Sequence, residues 1–232
     1  RQVRLGRDAE HLAVVDHDAH CAVASMPSSG VEPSVIPTRI AVQDWRGFFR
    51  DYLGAAAADP PAFRDDAIVP SPLMPHLMAE WLVERARDRW PMRHVRTAPL
   101  DRPPSVPWER AGVDGTHYVS FATWTCPVNC IEPRICPITR GPRDWSLPER
   151  LTEYAREERV AGGDLEVAVL HCRHRSYGVG MFDTAEVLAA DALIAAAGER
   201  ESAEVIIGTV SHCHGALTRL LIGALSSQSS SQ

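Results

Sequence analysis

Short apolar runs alternate with segments of helical spacing along most of the chain. β-Strands are predicted where the apolar runs occur, at residues 12–16, 67–69, 118–122, 167–170 and 205–207. Helices are predicted between them, at residues 44–57, 73–90, 147–160 and 183–197, and a short apolar segment through Leu220 predicts a last helix. Ser146 with Glu149, and Asp183 with Glu186, have the spacing of a capping box at two of these helix starts.

This alternation predicts an α/β fold with a mostly parallel, doubly wound sheet that is covered on both faces. We expect a single domain over residues 1–225. A Pro- and Cys-rich excursion over about 91–145 forms a loop insertion, and a Ser/Gln-rich tail at 226–232 is expected to be disordered.

The first apolar run carries a resemblance. Leu12 to Asp16 resembles the second strand of a dinucleotide-binding (Rossmann-like) domain, with Asp16 where that family binds the ribose. The resemblance implies a doubly wound sheet and a nucleotide cofactor. The family's glycine fingerprint lies about 20 residues before that acid, and only Gly6 precedes the strand here. Either an N-terminal segment is missing, or this is a Rossmann-like fold that binds no nucleotide.

Composition narrows the class of protein. The net charge is −6 and no basic stripe occurs, which argues against nucleic acid and anionic membranes as partners. No apolar run reaches the roughly 18 residues of a membrane helix, and no secretory signal is visible. A cytoplasmic location follows, so the six cysteines are expected to be metal ligands or reactive thiols, not disulfides.

Three cysteines, Cys126, Cys130 and Cys136, fall in one short Pro-rich stretch. Thiolates are soft ligands that suit zinc or iron–sulfur clusters. Proline follows two of the three cysteines, which resembles ferredoxin-type cluster loops. The spacing matches neither a ferredoxin nor a zinc finger, so an iron–sulfur cluster and Zn stay open. The alternative is that the three thiols pack as small hydrophobic groups.

A complete metal shell needs a fourth ligand, and Cys172 and Cys213 each follow a predicted strand. If these strands are parallel, all three cysteine segments lie on one rim of the sheet. His212 and His214 would share one side of an extended segment. With His174, they are candidates for proton transfer or for catalysis.

The sequence thus predicts a metal-binding protein with redox or electron-transfer work, which implies a redox partner protein or a small-molecule substrate. One alternative is a module that zinc merely staples and that binds a partner without catalysis. The other is a zinc-dependent hydrolase with an open coordination position. No pattern indicates the oligomeric state.

Overall fold

The computed structural model of the chain describes residues 9–24, 36–71, 74–127, 130–176 and 179–225. The predicted disordered tail at 226–232 lies outside these ranges. The helices are α1 (Trp45–Ala58), α2 (Leu77–Arg89), α3 (Leu147–Val160) and α4 (Thr184–Gly198), with a 3-10 turn at Pro60–Phe63. The strands are β1 (Leu12–Asp16), β2 (Thr38–Val42), β3 (Ala67–Ile68), β4 (Arg93–Ala98), β5 (Trp108–Ala111), β6 (His117–Ser120), β7 (Leu165–His171), β8 (Arg173–Ser176), β9 (Val179–Asp183), β10 (Ala203–Val210) and β11 (His214–Leu225).

The main sheet has six strands in the order β5-β6-β11-β10-β7, and β4 pairs with β11 beyond the end of β6. β11 is antiparallel to β10, β6 and β4. Among the described strands, only β7 with β10 and β1 with β2 pair in parallel. A three-stranded antiparallel sheet, β3-β9-β8, lies beside the main one.

The prediction of a mostly parallel, Rossmann-like doubly wound sheet is therefore wrong. The error lies in the segment through Leu220, which was predicted to be a helix and is instead the twelve-residue strand β11. The side chains of β11 are buried on both faces of the sheet: Leu217 belongs to one core cluster, whereas Leu220 and Ile222 belong to the other. A strand buried on both faces reads as a continuous apolar run, which periodicity alone does not separate from a buried helix.

The sheet is nevertheless covered by helices on both faces, as predicted. α1, α2 and α4 bury one face, where Leu53, Leu82 and Ile194 are fully buried against residues of β7, β10 and β11. α3 covers the other face through Leu147 and Leu151, which are also fully buried. Complete burial of a leucine side chain contributes about 1.5–3 kcal/mol relative to exposure, so these helices are held by packing.

The ends of three strands meet at one rim. β6 and β10 both run opposite to β11, and β7 runs parallel to β10, so β6, β7 and β10 point the same way. Hydrogen bonds connect the segments that follow them: the Phe121 N–H donates to the Cys213 carbonyl at 2.8 Å, and the Cys172 N–H to the Val210 carbonyl at 2.8 Å. The predicted meeting of the three cysteine segments at one rim is confirmed, although the sheet is not parallel.

Asp16 ends β1, the first strand of a two-stranded sheet beside α1. Its carboxylate accepts a hydrogen bond from the Asp18 N–H at 3.0 Å, which forms a local turn. Residues 17–24, which follow this strand, contain turns and no helix. Ligand binding at Asp16 stays a prediction.

None of the helices in the described ranges is long and apolar enough to cross a membrane.

Candidate metal centre

One small cavity at the rim is lined by four cysteines: Cys126, Cys130, Cys136 and Cys213. The first three follow β6, and the fourth lies in the turn between β10 and β11. The space that they enclose is about 10 Å³, which is close to the volume that a single water-sized atom needs. Cys136 and Cys213 are each only 7% exposed.

Cys136 sits at the start of a tight turn that directs amides at its sulfur. Its pKa is lowered, first by the backbone N–H of Thr139 and then by the Thr139 side chain and the Ile138 N–H, against a raising effect of burial. The turn closes with a hydrogen bond of 2.8 Å from the Arg140 N–H to the Cys136 carbonyl. Arg140 has a positive φ of 58°, which a non-glycine residue adopts rarely and at a cost. Amide donors aimed at a sulfur stabilise its thiolate form.

Cys130 has a related arrangement two residues downstream. The Glu132 N–H lies 3.4 Å from the Cys130 sulfur. Glu132 is the second non-glycine residue with a positive φ, at 52°. Both non-glycine residues with a positive φ in the described chain thus follow a cysteine of this loop, by two and by four residues.

Cys213 is presented by a tight turn that joins β10 to β11. The Ser211 N–H donates to the His214 carbonyl at 2.8 Å, which closes the turn. Gly215 is required directly after it, because a Cβ at that position would lie 2.4 Å from Cγ1 of Val210. The turn therefore fixes the backbone of Cys213 at the edge of the cavity.

The Glu132 side chain connects the cysteine loop to this turn. Its carboxylate accepts hydrogen bonds from the Ser211 hydroxyl at 2.6 Å, the His212 N–H at 2.9 Å and the Cys213 N–H at 3.1 Å. Burial alone would raise the pKa of this carboxyl, but these donors together hold it below its ordinary value. Glu132 is therefore a buried, ionised anchor.

Two tryptophans supply further N–H groups beside the sulfurs. The Trp145 indole donates to the Cys213 sulfur at 3.3 Å. The Trp124 indole Nε1 is buried without a partner that satisfies hydrogen-bond geometry, although it acts to lower the pKa of the nearby Cys126 thiol. A buried donor without an acceptor is costly. A thiolate at the cavity would satisfy it.

The loop thiols affect one another's ionisation. Burial raises the pKa of Cys126, and the neighbouring Cys130 and Cys136 raise it further because like charges repel. Burial also raises the pKa of Cys213 to about 12, against the Trp145 indole, which lowers it. A cation in their midst would reverse this balance, since a coordinating thiol is deprotonated outright.

The four sulfurs do not lie at coordination distances from one common point. Within the described ranges, no three His, Cys, Asp or Glu side chains converge closely enough to hold a metal ion as they stand. Each cysteine has three staggered χ1 rotamers, so its sulfur has alternative positions around the same backbone. The donor set, the shared cavity and the unpartnered Trp124 N–H fit a metal ion that draws the sulfurs together.

Cys172, the other candidate for a fourth ligand, lies elsewhere. Its side chain packs against the core cluster on the α4 face of the sheet and does not line the cavity. Burial raises the pKa of its thiol to about 12, and Glu186 and Glu132 raise it further. Of the two candidates, only Cys213 faces the cysteine loop.

The histidines are arranged differently from the prediction. His212 and His214 were predicted to share one side if their segment is extended, and that condition is not met, because the chain turns at residues 211–214. The His212 ring packs at 90° against His171, with ring centroids 4.6 Å apart, and its Nδ1 lies 3.2 Å from the Ser146 hydroxyl. His214 is exposed. His174 keeps a buried Nδ1 without a partner in the described structure.

Several residues of this region were absent from the predicted site: Glu132, Ser211, Trp145 and His171. Glu132 lies between two of the loop cysteines, so its position was a usable signal, since a carboxylate among thiols needs a reason. Trp145 and Ser211 carry no such signal. Their roles depend on contacts between residues that are 68 and 79 positions apart in the chain.

No curated protein and no solved structure matches this chain significantly. A family model described as "Uncharacterized protein, C-terminal domain" matches residues 78–223. The matched segment begins in α2, ends in β11 and includes all four cavity cysteines and Glu132. Because the match covers more than half of the sequence, this chain belongs to the AF_1314_C family.

Proposed function

We propose that this protein binds one zinc ion through Cys126, Cys130, Cys136 and Cys213, and that the ion fastens the cysteine loop to the sheet rim. The observation that carries the proposal is that these four thiols, from two distant segments, line one cavity. Four thiolates in a tetrahedron are a common structural zinc shell.

The size of the cavity favours one ion over a cluster. About 10 Å³ of free space is of the order of one atom. An iron–sulfur cluster places several metal and sulfide atoms between its cysteines, and it would need a larger cavity. A single ion needs only the convergence of four sulfurs.

The donor set favours a structural role over hydrolysis. A catalytic zinc site uses three protein ligands and keeps one position open for water or substrate. Here the fourth position is supplied by Cys213, which the Trp145 indole and the Glu132-anchored turn already orient. We therefore favour the non-catalytic interaction module, in which a resident zinc ion stiffens a binding surface at the rim.

A cytoplasmic location suits the proposed zinc site, because a reducing compartment keeps six free cysteines as thiols. A single iron ion in the same four-sulfur cage is the second candidate, and it would carry the redox role. The amide and indole donors at Cys136 and Cys213 would tune the potential of such an iron ion, since hydrogen bonds to sulfur do so at iron–sulfur centres.

The test compares the wild type with single cysteine variants. Each protein is purified without added metal, and its metal content per chain is measured by elemental analysis. We expect one zinc per chain in the wild type and in C172S, whose side chain lies on the other face of the sheet. C130S and C213S should lose most of the metal. C172S is a matched control because Cys172 is also a rim cysteine with a strongly raised pKa.

Other results would contradict the proposal in distinct ways. A wild type that binds no metal after reconstitution under reducing conditions would refute the centre. Equal loss in C172S and C213S would refute the choice of the fourth ligand. A coloured protein that contains iron would contradict the zinc proposal and support the redox alternative.

A further inference from the structure

We propose that Glu132 is a positioning residue of the metal centre: its carboxylate holds the Ser211–Cys213 turn so that the Cys213 sulfur faces the loop cysteines. This inference rests on the proposed zinc site and adds to it the residue that assembles it. Glu132 does not bind the ion in this scheme. It acts through Cys213.

The first support is the setting of the carboxylate. Glu132 is 8% exposed, and an unpaired buried charge is strongly unfavourable. Within the described ranges it forms no ion pair, and its partners are the Ser211 hydroxyl and the amides of His212 and Cys213. All three donors come from one turn. The carboxylate therefore determines where that turn lies relative to the loop.

The second support is the position of Glu132 in the loop. It lies two residues after Cys130 and four before Cys136. Its own N–H is directed at the Cys130 sulfur at 3.4 Å, and its φ of 52° is left-handed. One residue thus serves Cys130 through its main chain and Cys213 through its side chain. A strained backbone that persists at such a point is held by its surroundings.

The third support is that both carboxylate oxygens are already used. Oε1 accepts from the Ser211 hydroxyl and the Cys213 N–H, and Oε2 accepts from the His212 N–H. A metal-binding oxygen would have to give up these bonds and weaken the pairing of buried donors, which is unfavourable. The four cavity thiols need no oxygen to complete a shell.

The variant E132Q tests this role with almost no change in shape. A glutamine has one acceptor oxygen, and its NH₂ group would face an amide donor of the turn. The turn would lose a bond and gain an opposed pair of donors, so Cys213 should no longer be held at the cavity. S211A removes the hydroxyl, which donates to Glu132 and accepts at 3.3 Å from the Cys213 and His214 N–H groups. It leaves both amide bonds to the carboxylate in place and should have a smaller effect. E153Q changes an exposed glutamate that pairs with Arg150 on α3, and it serves as the control.

The experiment loads the full-length protein with Co²⁺, which reports thiolate coordination by its absorption, and then measures zinc affinity by chelator competition. We expect E132Q to bind one ion about 10–100-fold more weakly, with a cobalt spectrum that resembles that of C213S. E153Q should match the wild type in both measurements, and S211A should lie between.

Several outcomes decide the inference. An E132Q variant with wild-type affinity and a four-thiolate spectrum overturns it. If E132Q is weaker but keeps the four-thiolate spectrum, Glu132 stabilises the fold in general and does not position Cys213, and the inference also fails. If E132Q does not fold by circular dichroism, S211A alone decides: unchanged affinity and spectrum in S211A overturn the inference. A wild type that binds neither ion removes the proposed centre itself, which is a distinguishable failure.

Discussion

The His171 ring lies at the end of β7, half-buried against His212, and its Nε2 has no partner in the described structure. Burial, followed by the proximity of His212 and Arg173, lowers its pKa from 6.5 to about 4. The ring is therefore neutral at physiological pH. Because protonation is harder in the folded chain, this histidine favours the folded state at pH values above its unfolded pKa.

A pH-dependent stability follows at this residue. Since the folded pKa is depressed, the stabilisation is present above about pH 6.5 and is lost as the pH falls toward 4. We expect H171Q to lose part of the pH dependence of the free energy of unfolding in that window. Denaturant titrations from pH 4 to 7 measure it, with H214Q at an exposed histidine as the control. An identical pH dependence in H171Q and the wild type would contradict the assignment.

Residues differ in how visible their roles are in the sequence. Cys126, Cys130 and Cys136 were predicted as ligands because thiols clustered in a Pro-rich stretch are typical of metal-binding loops, and in the structure they line one cavity. The sequence does not distinguish Cys172 from Cys213 as the candidate fourth ligand, since both follow strands. They differ in the side of the sheet on which the side chain lies, and that side depends on the strand register. Glu132 was missed because a single acid in a loop is usually solvated, and its burial arises only when the turn at residue 211 meets it.

At the scale of elements, β11 organises the sheet. It receives β10 on one edge and β6 and β4 on the other, and it buries side chains on both faces. Leu217 contacts the α3 side, and Leu220 contacts the side of α1, α2 and α4. This double burial explains how the strand stabilises both layers.

Truncation of either leucine should therefore destabilise the protein strongly. We expect L217A and L220A each to lower the free energy of unfolding by about 2–5 kcal/mol, because each leaves a cavity in a packed core. A224S, at an exposed position of the same strand, should stay within about 0.5 kcal/mol of the wild type. Chemical denaturation is the measurement. A large effect of only one of the two leucines would argue that β11 is buried on a single face.

Elements with clear caps were predictable and β11 was not. α4 begins at a complete capping box of Asp183 and Glu186, as predicted. α3 begins after Ser146, but the capping box predicted there does not form: the Ser146 side chain makes no capping hydrogen bond, and its hydroxyl lies 3.2 Å from Nδ1 of His212. β11 has no signal of comparable strength. Its apolar residues suit a helix or a doubly buried strand, and only pairing with β10 and β6, set by long-range contacts, selects the strand.

At the scale of the whole molecule, the zinc proposal makes stability depend on metal. A ligand present at about 1,000 times its Kd stabilises the folded state by about 4 kcal/mol. For a protein of this size, chelation should then lower Tm by about 8–16 °C, and added zinc should restore it. Calorimetry with and without chelator measures this.

The comparison with C213S makes the result specific. That variant lacks the fourth sulfur, so chelator should change its Tm little. A wild type whose Tm is indifferent to both chelator and zinc would contradict a structural ion.

The overall topology was predicted wrongly, yet the meeting of the cysteine segments was predicted correctly. The reason is geometric. β6 and β10 are each antiparallel to β11, which lies between them, so they point in the same direction, and β7 is parallel to β10. The ends of these three strands therefore lie at the same rim, as they would in a parallel sheet. Position at a rim depends on strand direction, and it survives the insertion of one antiparallel strand between two that agree.

The span between Glu132 and Cys213, 81 residues along the chain, has a consequence for biogenesis. A ribosome that has released only the cysteine loop has made a three-sulfur fragment, and the last donor emerges some eighty codons later. Any ion captured early must wait in an incomplete shell, open to exchange and oxidation. The proposed centre would thus close only after Cys213 has been made and β6 and β10 have both paired with β11, which brings the loop and the turn together.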